Sequence, residues 1–96
     1  MAPRKKPHNG TDVAALLVER ENLYGAFKNH AAISQGLQDV MRAAPGWARL
    51  TAPQKECLQM VQHKIARVLN GDPTYADNFV DIAGYAKLVA DELEVK

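Results

Sequence analysis

Cysteine occurs once in the 96 residues, at Cys57, which excludes an internal disulfide and a cysteine-based zinc cluster. Serine also occurs once, at Ser34, with no base paired to it in sequence, so the pattern of a nucleophilic enzyme is missing. His8, His30 and His63 are scattered and match no metal spacing such as HExxH. There is no glycine-rich phosphate loop: Gly71-Asp72-Pro73 lacks both the pattern and a preceding strand. Neither sign of charge dominates. The net charge is +1, so no overall field marks a nucleic-acid partner. Apolar runs extend over only a few residues, too short for a membrane span. The segment MAPRKKPHNG carries no apolar stretch after its basic residues, unlike a secretory signal. No strand alternation and no internal repeat is present.

What is present is one domain's worth of chain with an ordinary apolar share of 47%. A chain this short builds only a modest core, and association with other copies is a natural way to add burial. The lone cysteine suits a reducing, cytoplasmic setting. Residues 1–10 read as a basic flexible arm carrying Arg4, Lys5 and Lys6, and residues 11–94 as a single helical domain.

Apolar residues recur at three- and four-residue steps throughout, which predicts an all-α fold: a small antiparallel bundle of about four helices. Helix one starts near Thr11 or Asp12, with Val13, Leu16, Leu17, Leu23 and Tyr24 on one stripe and Arg20 among them. Gly25 then marks a kink, a break or a close backbone approach. Helix two runs from about Ala26 to Ala44, with Phe27, Ile33, Leu37, Val40 and Met41 on its apolar face, and Pro45-Gly46 ends it. Trp47 sits in the connector, as a plug over the core edge or as an interface residue. Helix three has the clearest start, Thr51-Ala52-Pro53-Gln54, a capping box with an early proline. Its stripe is Leu58, Val61, Ile65, Val68 and Leu69, with Cys57 as a small filler and His63 on the wet side. Gly71 suits a left-handed cap. Helix four runs from about Ala76 to Leu93, with Phe79, Ile82, Ala83, Ala86, Val89, Ala90 and Leu93 on its stripe and Gly84 beside it for close helix approach.

The densest polar set at helical spacing lies in Lys64–Tyr85. Lys64 and Arg67 share one side of helix three; Asp77, Asp81 and Tyr85 share one side of helix four. An antiparallel hairpin would bring Arg67 near Asp77 or Asp81, with Lys64 further along. One reading is an ion-pair network in which Asp77 and Asp81 neutralise Arg20 and Arg67. The other is a site in which Asp77 and Asp81 hold a divalent ion, magnesium, completed by Glu19 or Glu21, while the cations hold a phosphate.

The segments Glu19-Arg20 with Tyr24-Gly25, Gly46-Trp47, Lys64–Arg67 with Gly71–Pro73, and Asp77 with Asp81–Ala86 together resemble a family of small uncharacterised proteins of tailed phages and prophages. Phe79 stands where many members have tryptophan. A fainter likeness runs to all-helical phage nucleotide-processing domains, including nucleotide pyrophosphatases. Those hold magnesium on an EExxE helix, a spacing that Glu19 and Glu21 do not have. The resemblance implies a phage-type accessory protein in the cytoplasm of an infected or lysogenic host. Three readings follow. The first is capture of a host protein, nucleotide or nucleic acid by Arg20, Tyr24, Lys64, Arg67 and Tyr85, arginines forking onto phosphate and tyrosines stacking. The second is a magnesium-dependent pyrophosphohydrolase using Asp77 and Asp81. The third is a structural homodimer built through Trp47.

Overall fold

The structure, a computed structural model, describes residues 10–94, with side chains from residue 12. The basic arm and the cap chemistry of Asn9 and Thr11 lie outside those residues. Four helices follow one another: α1 Gly10–Tyr24, α2 Phe27–Ala43, α3 Ala52–Asn70 and α4 Ala76–Glu94, with a short 3-10 turn over Pro45–Arg49 before α3. No strand occurs among the described residues, and the fold is the all-α bundle of four helices that the periodicity predicts.

Local chemistry sets the boundaries. Thr51 Oγ1 accepts from the Gln54 N–H at 3.3 Å, and Gln54 Oε1 accepts from the Thr51 N–H at 2.9 Å, so the capping box starts α3. After α3, Asp72 Oδ1 accepts from both the N–H and the hydroxyl of Thr74, fixing the turn into α4 and holding the Asp72 carboxyl below its ordinary range. Helices one and two are separate. Gly25 breaks them at φ +77°, the left-handed region that favours glycine.

The break docks on the α3–α4 turn. Asn70 Nδ2 donates to the carbonyls of Tyr24 at 2.8 Å and Ala26 at 3.0 Å, and the Asp72 N–H donates to Leu23 O at 2.7 Å. The orphan carbonyls at the end of α1 are thereby satisfied. The approach is so close that a Cβ on Gly25 would overlap the Asn70 carbonyl. A Cβ on Gly71 would overlap Leu23 O and the Tyr24 backbone. Gly71 therefore serves close approach rather than the expected left-handed cap; its φ is −125°. Gly84, expected at a close helix approach, faces open space.

The bundle is an open one, with its helices side by side. α3 lies in the middle, with α2 on one flank and α4 on the other. Ser34 Oγ donates to Gln62 Oε1 at 3.2 Å on the α2 flank, while Lys64 Nζ meets Asp81 at 2.8 Å and Cys57 Sγ donates to the Tyr85 carbonyl on the α4 flank. α1 joins the layer only at its C-terminal end; residues 12–22 are all exposed.

Two expectations about the interior are corrected. Among the described residues the fully buried polar residues are His30, Ser34, Gln62, Lys64 and Asn78 and the one fully buried apolar residue is Ala66, while Ile33, Leu37, Val61, Val68, Ile82 and Val89 are half-buried. The stripes of α2, α3 and α4 do run along single faces, but Val40, Leu58, Ile65, Leu69 and Phe79 keep 39–72% of their surface exposed. Periodicity groups residues on a face; it does not say that another element covers that face. The second correction concerns the hairpin ion pair. Lys64, not Arg67, meets Asp81, because Arg67 lies three residues and about −60° further round α3, turned away from α4.

Candidate ligand cleft

The joint at Gly25 carries Tyr24 to the side of the layer where α3 presents His63 and Arg67. Those two are four residues apart and share one face of α3. The Arg67 guanidinium carbon lies 4.1 Å from the centroid of the Tyr24 ring, and that of Arg20 lies 5.6 Å from it. Tyr75, in the α3–α4 turn, meets the Tyr24 ring edge-on at 6.1 Å. Two guanidiniums thus share one aromatic ring, a geometry in which the ring quadrupole attracts cations.

Beside this group opens a cavity of about 360 Å³ between α1, α2 and α3, walled by Leu17, Arg20, Tyr24, Phe27, His30 and Arg67 among others. Volumes of this size accept small organic ligands. His30 and His63 pack edge-on at 4.7 Å. Burial first, then the Arg67, His30 and Lys64 charges, push the His63 imidazole down to about 4. Burial and then Arg67 lower His30 in the same direction. Both rings are therefore neutral at pH 7, and the fixed positive charge of the cleft belongs to Arg20 and Arg67. His30 Nδ1 is buried with no protein partner. Glu21 adds one carboxylate to the wall.

The expected site residues divide. Arg20, Tyr24 and Arg67 come together in the cleft. Lys64 and Tyr85 do not join them: Lys64 is buried against Asp81, and Tyr85 lines a separate groove with Cys57 and Leu88. Asp77 accepts from the Tyr75 hydroxyl at 3.1 Å, and Asp81 holds Lys64. No group of three or more metal-ligating side chains occurs among the described residues, so Glu19 and Glu21 do not complete an acidic set with the two aspartates. The paired arginines of the ion-pair reading stack on Tyr24 instead of meeting Asp77 or Asp81. Trp47 is half-buried in the 3-10 turn, with the Lys55 ammonium 5.8 Å from its ring.

Sequence reasoning missed Leu17, Phe27, His30 and His63 as cleft residues. The His63–Arg67 spacing was a usable signal for one of them; His30 comes in only through the registry of α2 on α3.

The family model described as Domain of unknown function (DUF6378) matches residues 11–93, and the chain belongs to that family. No curated protein and no solved structure matches it. No helix among the described residues is long and apolar enough to cross a membrane.

Proposed function

We propose that this member of the family is a binding protein that captures a nucleotide in the Arg20–Tyr24–Arg67 cleft, acting by stoichiometric capture rather than by catalysis. The observation that carries the reading is the pair of guanidiniums on one tyrosine ring at the mouth of a cavity sized for a small ligand. Guanidiniums fork onto phosphate oxygens, and the exposed ring of Phe27 offers stacking area for a base. The neutral His30 ring lines the cavity without adding charge, and Glu21 accepts from a ribose hydroxyl or an exocyclic amine. The likeness to tailed-phage proteins gives the capture its setting, an accessory role in the host cytoplasm. The magnesium-dependent pyrophosphohydrolase is less well supported, because Asp81 is engaged by Lys64 and, among the described residues, no third carboxylate stands with Asp77 and Asp81.

A thermal-shift titration with a nucleotide panel, each with and without magnesium, tests this. A ligand that binds only the folded state raises the melting temperature. The proposal expects a rise that needs no magnesium and that Arg67→Ala removes while helicity is kept. A rise that requires magnesium would move the reading to Asp77 and Asp81. No rise with any nucleotide would refute nucleotide capture.

A further inference from the structure

The side of the layer opposite the cleft is apolar and uncovered. On α3, Gln62 and Ala66 turn towards α2, Lys64 and Cys57 towards α4, and His63 and Arg67 towards the cleft. At about 100° per residue, the remaining side belongs to Leu58, Ile65 and Leu69. The grooves on the cleft side identify the matching flanks of the neighbours. Gln38 and Arg42 of α2 share a groove with His63, so Ile33 and Val40, on the other flank, turn to the Leu58 side. Leu88 and Glu92 of α4 share a groove with Glu56 and Cys57, so Phe79, Ala86 and Leu93 turn to the Leu58 side. Three apolar stripes thus merge into one face.

We infer that two copies of the chain associate face to face through this surface, layer on layer. The area fits. Val40, Leu58, Ile65, Leu69, Phe79 and Leu93 are 39–72% exposed, leaving on the order of 500 Å² of apolar surface before the alanines are added. A standard interface covers about 800 Å² per partner, roughly 56–65% of it apolar, which is about the same apolar area. The need fits as well. Among the described residues Ala66 is the one fully buried apolar residue and the face residues above keep 39–72% of their surface in solvent, so cover that is always at hand would add burial that one copy does not supply. A second copy meets that condition, and a two-fold axis brings the face onto itself. The face lies across the layer from the cleft, so association does not depend on the ligand reading.

The test is the solution mass of the ligand-free chain by light scattering, with the melting temperature followed over protein concentration. The expected mass is about 21 kDa, twice the 10.6 kDa of one chain. The melting temperature is expected to rise with concentration. Leu69→Asp should lower the mass to one chain or abolish the cooperative melt, whereas Val80→Asp, equally exposed on the outer edge of α4, should change neither. Unfolding of Leu69→Asp alone also supports the inference, because a residue standing in solvent tolerates aspartate. A 10.6 kDa wild type with a concentration-independent melt, or a Leu69→Asp variant with wild-type mass and melt, would overturn it.

Discussion

Gly71→Ala is the sharpest perturbation of the joint that positions Tyr24. The φ of −125° lies outside the left-handed region, and the effect worked here is the steric one. The new methyl would overlap Leu23 O and the Tyr24 backbone, forcing the end of α1 off the α3–α4 turn. Three hydrogen bonds depend on that approach: Asp72 N–H to Leu23 O, and Asn70 Nδ2 to Tyr24 O and Ala26 O. At about 1 kcal/mol net for each, the loss is about 2–3 kcal/mol. α1 would then be a free helix of 15 residues, a length that is marginal alone, so part of its helicity should go too. Urea unfolding followed by far-UV circular dichroism reads both effects. Gly36→Ala is the control: nothing lies within 4 Å of its added Cβ, and in the exposed interior of α2 it should stabilise by about 0.5–1 kcal/mol. A Gly71→Ala protein within about 0.5 kcal/mol of wild type, the range of an ordinary surface change, would refute this account of the joint.

Two further outcomes follow from buried polar groups. The unfolded His63 imidazole takes its proton near 6.5 and the folded one only at about 4, so between those values the unfolded state binds more protons. Stability is therefore complete above about pH 6.5 and falls as pH drops towards 4; discounted for the ring's partial exposure, the loss should be about 1–2 kcal/mol. Urea midpoints at pH 7 and pH 5 should show it for wild type and show less of it for His63→Gln; an equal decline in both would contradict it. At the α3–α4 contact the Lys64 side chain is 11% exposed and that of Asp81 is 46% exposed. Asp81→Asn, which strands the buried ammonium, should thus cost about 1–3 kcal/mol, whereas Lys64→Met, which frees a half-solvated carboxylate, should cost less, and the reverse order in denaturant unfolding would exclude the asymmetry.

The starts and stops of the helices were legible because their causes are local. Thr51 and Gln54 cap α3 within four residues, and Gly25 breaks the chain through its own φ. The stripes were legible as faces for the same reason. Their covering was not, since it depends on where α2 and α4 sit around α3. An open layer leaves Leu58, Ile65 and Leu69 outside and draws Ser34 and Gln62 in. The cleft was half legible. Arg20 and Tyr24 lie one turn apart on α1, but their meeting with Arg67 follows from Asn70 and Gly71 gripping the end of α1, a contact across 46 residues of sequence. The His30–His63 pair depends on helix registry, which no short motif encodes.

The most direct measurement is equilibrium titration of a nucleotide against wild type, Arg67→Gln and Arg42→Gln by calorimetry. Arg42 is an exposed arginine hydrogen-bonded to Gln38, so it controls for charge alone. A charge-assisted hydrogen bond contributes about 1.5–3 kcal/mol, so Arg67→Gln should weaken binding roughly ten- to a hundredfold while Arg42→Gln matches wild type. Equal affinity for all three, or no binding by the wild type, would contradict nucleotide capture in the Arg20–Tyr24–Arg67 cleft.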